Sequence, residues 1–201
     1  HARQEFAGTG SYTSALAFSG EIPGDIFVTS REEWDGTNWT QGNVLSAGRR
    51  FLGGAGTTSS ALAFGGRIEP GAASALTEEW NLGAVAAGVW STGGSLNTAR
   101  IQTAGSGASN SSALAFGGEV PGSFSALTES YNGTNWTEVN DLPAAKENLV
   151  GDGTQTSTLA FGGKTSIPTT VATTESWNGT NWTAVNSMNT ARNALGGCGT
   201  D

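Results

Sequence analysis

"SALAFGG", residues 60–66, occurs again unchanged at 112–118, with close copies at 14–20 ("SALAFSG") and 157–163 ("STLAFGG"). The phenylalanines of these copies, Phe18, Phe64, Phe116 and Phe161, stand 46, 52 and 45 residues apart. Further elements recur in step. An acidic-aromatic triplet follows each copy: "EEW" at 32–34, "EEW" at 78–80, "ESY" at 129–131 and "ESW" at 175–177. A second tryptophan comes next (Trp39, Trp90, Trp136, Trp182), and a basic residue opens the Gly-rich start of each unit (Arg3, Arg49, Arg100, Lys146, and a fifth time Arg192). The chain is therefore four repeats plus a fifth copy of the first element, and that period governs every later assignment.

Each repeat reads as four short strands. The segment after the basic residue ("RFLGGAGT") mixes small and apolar residues and suits a strand pressed against neighbouring backbone. "ALAFGG" is a short buried strand ending in paired glycines. "ALTESY" alternates like a half-exposed strand. "NWTEVN" is the fourth, joined to the third through Asp-Gly or Asn-Gly, a strong hairpin signal. No stretch keeps a 3.6-residue apolar period, so almost no helix is expected.

Composition agrees. Of 201 residues 31 are glycine and only 13% are charged, yet seven Trp and eight Phe recur at fixed places, which argues against disorder. The net charge of −8, with Lys146 and Lys164 the only lysines, speaks against nucleic acid as a partner. No apolar run approaches the roughly 20 residues of a membrane span, so no membrane insertion is expected. No signal-peptide pattern is present, and a chain opening on His1 reads as a processed or excised piece. A neutral surface rich in Ser, Thr and Asn suits an extracellular or virion location.

Four-stranded units at this spacing are the mark of propeller blades. Paired glycines after an apolar strand, Glu-x-Tyr/Trp, a Trp about five residues later and "SMNTAR" at 187–192 resemble kelch repeats over nearly the full chain. The resemblance implies an all-β, kelch-like β-propeller of four-stranded antiparallel blades in a single domain, 1–201. The approximate blades are 3–48, 49–99, 100–145 and 146–191, and 192–201 is a surplus inner strand. Three closures fit that count: a small closed ring, a segment of a larger ring, or a ring completed by several chains, a homo-oligomer through edge strands. Function does not follow from the fold, since kelch propellers serve as enzymes, adaptors and lectin-like binders.

What the sequence lacks narrows the chemistry. His1 and Cys198 are the only residues of their kinds, which removes Ser-His-Asp and Cys-His catalysis and any His/Cys metal site. No cofactor and no catalytic residue is assigned. Galactose oxidase carries kelch repeats, but its copper ligands have no counterpart here, and "DGTNW" at 35–39 only partly resembles a sialidase aspartate box. A carboxylate-pair glycosidase would have to use Glu32, Glu33, Glu78, Glu79, Glu129 or Glu175. These recur in every repeat, as scaffold does. The basic residues are expected to pair with third-strand carboxylates or loop carbonyls, or else to form a charged ring for an anionic ligand. Trp39, Trp90, Trp136 and Trp182 are expected between blades, with repeated sugar contact as the minority reading.

A single site belongs where repeats differ. The connections between second and third strands diverge ("EIPGDIFVTSR", "RIEPGAASALT", "EVPGSFSALT", "KTSIPTTVATT") and carry Glu21, Asp25, Phe27, Arg67, Glu69, Glu119, Phe124 and Ile167 on one face. The third-to-fourth hairpin of the second repeat is lengthened to "NLGAVAAGVW" (81–90), where Val85 and Val89 suit contact with another chain or a neighbouring blade. The wording of residues 113–142 is similar to kelch-like repeats of marine and cyanobacterial phage virion proteins. That resemblance implies a non-enzymatic virion-surface or tail-fibre part touching protein or glycan. A secreted multivalent lectin-like module and a glycan-cleaving enzyme are the competing classes.

Overall fold

The computed structural model describes residues 2–83 and 88–197 of the chain; His1, Val85 and Cys198 lie outside them. Among the described residues there is no helix. Four antiparallel four-stranded sheets follow one another along the chain, each with its strands in sequence order. The first contains Ala7–Ser11, Ser14–Phe18, Arg31–Trp34 and Trp39–Gly42; the second Gly53–Gly56, Ser60–Phe64, Thr77–Asn81 and Val89–Thr92. The third contains Ala104–Ser109, Ser112–Phe116, Thr128–Tyr131 and Trp136–Glu138; the fourth Val150–Gly153, Thr158–Phe161, Thr174–Trp177 and Trp182–Val185. The fold is all-β and propeller-like.

The alternation of "SALAF" explains the stacking. In a strand, successive side chains point to opposite faces, so Leu62 and Phe64 face the third sheet while Ala61 and Ala63 face the first. Each of the three cores lies between sheets. Leu16 and Phe18 meet Ala61, Ala63, Trp80 and Leu52; Leu62 and Phe64 meet Ala113, Ala115, Tyr131 and Trp136; Leu114 and Phe116 meet Ala160, Trp177, Trp182 and Leu149. Large residues from one sheet thus fill the space left by alanines of the next. Phe64 meets the Trp136 ring edge-on at 5.1 Å, and Phe116 lies 4.9 Å from Trp182.

The first strands run side by side, sheet one on two, two on three, three on four, with no comparable contact from four back to one among the described residues. Glycine is required there. A Cβ on Gly105 would stand 2.4 Å from the Phe64 ring and one on Gly151 2.2 Å from the Phe116 ring. Each first strand begins four residues after the basic residue instead of directly at it. The cause is a residue in the left-handed region at the same place in every repeat: Glu5, Phe51, Gln102, Asn148 and Ala194. Phe51 N–H donates to the Glu5 carbonyl, Gln102 N–H to Phe51 and Ala194 N–H to Asn148, so the kink doubles as a link between repeats. Residues 192–197 follow the course of a fifth first strand over sheet four but pair with no second strand, and form no ladder of their own.

The third-to-fourth hairpins turn at the Asp-Gly or Asn-Gly pairs, inside longer loops. Trp34 pairs with Trp39 and Trp177 with Trp182, leaving four-residue loops in which only glycine (Gly36, Gly133, Gly179) has positive φ. The loops are closed by side chains: Asn178 Oδ1 accepts N–H bonds from Thr180 and Asn181, and Asn132 and Asp35 do the same in their repeats. Those amides hold the Asp35 carboxyl below the usual carboxylate range. In the second repeat Val89, expected at a contact, is exposed.

Candidate functional site

Residues common to all repeats are consumed inside the fold. Arg49 pairs with Glu78 at 3.0 Å, Arg100 with Glu129 at 2.8 Å, Lys146 with Glu175 at 2.5 Å and Arg3 with Glu32 at 2.7 Å. The Arg100 guanidinium also donates to the carbonyls of Gly117 and Leu127, fastening the paired glycines to the strand that follows. Glu129 accepts the Asn97 N–H and Glu78 the Ser46 N–H, both from connections that arrive out of the preceding sheet. Burial lowers the pKa of Arg49 and Arg100, and the neighbouring carboxylate opposes that shift. Glu33 faces Arg31 at 3.4 Å, and Glu79 accepts the Tyr131 hydroxyl. All six carboxylates considered for glycan cleavage are therefore engaged by neighbours.

The tryptophans divide. Trp136 and Trp182 are buried between sheets, their indole N–H groups donating to Thr77 and Thr128 hydroxyls. In that position neither offers a ring face to a sugar. Trp90 is half-buried against Phe18 and Trp80. At its interface Arg31 takes the place of the threonine; it cannot accept, stacks over Trp80 at 3.9 Å, and leaves the Trp90 indole N–H without an acceptor. Trp39 is 51% exposed.

The divergent connections are not free loops. The first three fold back as two-residue ribbons (Glu21–Ile22 with Ile26–Phe27, Arg67–Ile68 with Ala72–Ala73, Glu119–Val120 with Ser123–Phe124), and the fourth closes with a single bridge, Lys164 to Thr170. Each also bridges to the residue just after the basic one: Gln4 to Glu21, Arg50 to Arg67, Ile101 to Glu119, Glu147 to Lys164. The ribbons and the kinked residues so form one row. Glu21 is buried and bound by Arg50; Arg50 also lies 3.5 Å from Glu5 and over the Phe27 and Phe51 rings, with Arg67 above Phe51. A cleft of about 380 Å³ opens between the second and third ribbons, lined by Arg67, Ala73, Ala99, Ile101, Glu119 and Pro121 among others. Beyond it, burial first and the Glu119 carboxylate second push the Glu147 carboxyl up; burial likewise raises Glu5.

Of the eight expected residues, Arg67 and Glu119 share this cleft, and Glu21 and Phe27 pack about Arg50. Asp25 and Glu69 sit at exposed ribbon tips, Phe124 is half-buried beside Glu119, and Ile167 projects outward, 80% exposed. Sequence reasoning missed Glu5, Arg50, Phe51, Gln102 and Glu147. A signal for them existed: flanked by positions that repeat, these two positions read Gln-Glu, Arg-Phe, Ile-Gln and Glu-Asn in turn. Gln102 Oε1 and the Nε atoms of Arg50 and Arg67 are buried without a hydrogen-bond partner, and Glu5 Oε2 meets Arg50 only at ion-pair distance, 3.5 Å, so the row keeps polar atoms without hydrogen-bond partners. Charged groups beside aromatic rings in a shallow cleft can hold a polar ligand by hydrogen bonds and ring contact. Among the described residues no cluster of His, Cys, Asp and Glu has a metal-binding arrangement.

No family model matches the chain, and no curated protein matches it. Among solved structures it is similar to the structure of YjhT, with a TM-score of 0.74 at 12% identity, over 90% of this chain and 68% of that one. At that identity the likeness concerns fold alone.

Proposed function

We propose that this chain is a non-enzymatic recognition and structural module of the kelch-like propeller type, four blades of an arc, carried on a virion surface or tail fibre and contacting host glycan or protein. The observation that carries the reading is the segregation of residues. Positions that recur are spent on buried ion pairs and inter-sheet packing, whereas charge and aromatic rings that vary between repeats collect on one loop row around the Arg67–Glu119 cleft. A rigid scaffold presenting variable loops is how binding modules are built. The virion assignment rests on the wording of the repeats, and the kelch-like assignment on the paired glycines, the Glu-x-Tyr/Trp triplets and the four-stranded units.

The test is binding of the purified chain to bacterial surface polysaccharides and envelope proteins, followed by Arg67→Ala and Glu119→Gln. Both variants are expected to weaken binding about tenfold, or roughly 1.4 kcal/mol, with the unfolding midpoint unchanged. Unaltered binding by both would move the site off this row. Release of reducing sugar, lost on a single Glu→Gln change, would replace the reading with an enzymatic one.

A further inference from the structure

The loop row carries its charges in blocks, and the cleft lies where the blocks change sign. Backbone bridges and an ion pair fix the order: Glu21 meets Arg50, Arg50 bridges Arg67, Ile101 bridges Glu119, and Glu147 bridges Lys164. The Gly66 N–H on the Arg100 carbonyl and the Gly118 N–H on the Lys146 carbonyl join these pairs to one another. Two guanidiniums therefore stand on one side of Ile101 and two carboxyls on the other. Like charges side by side repel. On the cationic side the fold offsets Arg50, which Glu21 binds and Glu5 meets at 3.5 Å.

Arg67 has no carboxylate at ion-pair distance among the described residues, and its Nε is buried without a hydrogen-bond partner. Glu5 feels its charge only at longer range. On the other side Glu119 and Glu147 stand in hydrogen-bond contact, and Lys164 acts on Glu147 from beyond ion-pair distance. The upward shift of the Glu147 carboxyl, from burial first and the Glu119 charge second, is that of an acid pair with no cation between its members. The cleft of about 380 Å³ opens between these two sides. Its second-ribbon side brings Arg67 and Ala73, its third-ribbon side Glu119 and Pro121, and Ala99 and Ile101 add apolar surface.

We propose that this cleft binds a zwitterionic sugar unit, its carboxylate on Arg67 and its ammonium on the Glu119–Glu147 pair. The inference rests on the recognition role proposed for the row and names the chemistry of its ligand. A guanidinium takes a carboxylate through two parallel N–H bonds, and an ammonium supplies the cation that the two carboxyls lack. Ala73, Ala99 and Ile101 give the carbon framework between those charges an apolar surface to lie on. A ligand of one sign alone meets like charge on one side of the cleft, so plain acidic and plain basic sugars are disfavoured. A peptide of mixed charge fits less well. The backbone N–H and C=O groups of Arg67, Ile101 and Glu119 are already bonded within the row, which leaves a peptide strand nothing there to join.

Titration of the 201-residue chain with a glucosamine–glucuronate disaccharide, followed by nuclear magnetic resonance, tests this. The disaccharide carries a free ammonium and a free carboxylate; its N-acetyl form keeps only the carboxylate, and its methyl ester only the ammonium. Both modified forms, and a Lys-Glu dipeptide capped at each end, are expected to bind at least about tenfold more weakly than the parent. Arg67→Gln should bring the parent and its methyl ester to within about threefold of each other, and Glu119→Gln the parent and its N-acetyl form. Near-ultraviolet circular dichroism checks that the variants fold, and the comparison of ligands on wild type needs no variant. No binding of the disaccharide, equal binding of either modified form, or tighter binding of the dipeptide would each overturn the proposal. Should that happen while Arg67→Ala and Glu119→Gln still weaken binding to bacterial surface polymers, the row keeps its recognition role and the zwitterionic chemistry alone falls. Surface polymers that bind those variants unchanged would remove the recognition role itself.

Discussion

Tyr131 shows how one side chain carries both packing and charge. It lies in the contact between sheets two and three, 4.8 Å from the Trp136 ring, and its hydroxyl donates to Glu79 while accepting the Gly94 N–H. Burial first, and then the bond to Glu79, push its pKa up to about 12. An acid whose proton is held more tightly when folded stabilises the fold fully below its unfolded pKa, and that contribution fades as pH rises toward the folded value. Stability is therefore expected to fall between about pH 10 and pH 12. Tyr131→Phe removes that titration and both hydrogen bonds, so it costs about 1 kcal/mol at neutral pH and flattens the alkaline decline. Urea midpoints of the two proteins against pH measure both effects; parallel curves would show that Tyr131 does not govern the alkaline limb.

At the scale of elements the repeated ion pair is the joint. Arg100 and Glu129 are fully buried, and between them they bind the paired glycines, the third strand and the connection from the preceding sheet. Removing one partner strands a buried charge, so Arg100→Ala is expected to cost about 3–5 kcal/mol. Arg100→Lys costs less, since Lys146 performs the role in the fourth repeat with bonds to Glu175 and Thr173. Denaturant unfolding ranks the two, and an equal loss would deny the lysine that role. The joint was legible in sequence because its partners recur at fixed spacing, as were the strands, whose order follows from repeated "ALAF" and Glu-x-Tyr/Trp. The left-handed residues were not. Phe51 and Gln102 adopt a conformation that side chains with a Cβ rarely choose, imposed by bonds to the preceding repeat, which no local propensity encodes. The candidate row depends on that kink, and on ribbons within segments whose Pro and Gly read as plain loops. The sequence therefore singled out the row's members from the connections and passed over those beside the basic residues.

Across the whole molecule, stability belongs to contacts between neighbouring sheets, as in a linear array. The described residues hold no core shared by all four sheets; each of the three cores joins two neighbours. Sheets two and three are covered on both faces, and their second strands are buried from Ala61 to Phe64 and from Ala113 to Phe116. Among the described residues sheets one and four each have one covered face, and Leu159, Trp39 and Phe6 are exposed. Local opening draws on the least covered elements first. Hydrogen exchange of the dilute chain is therefore expected to be slowest in strands 60–64 and 112–116 and faster in 14–18 and 158–161. Uniform protection would instead mean that the four sheets open as one unit.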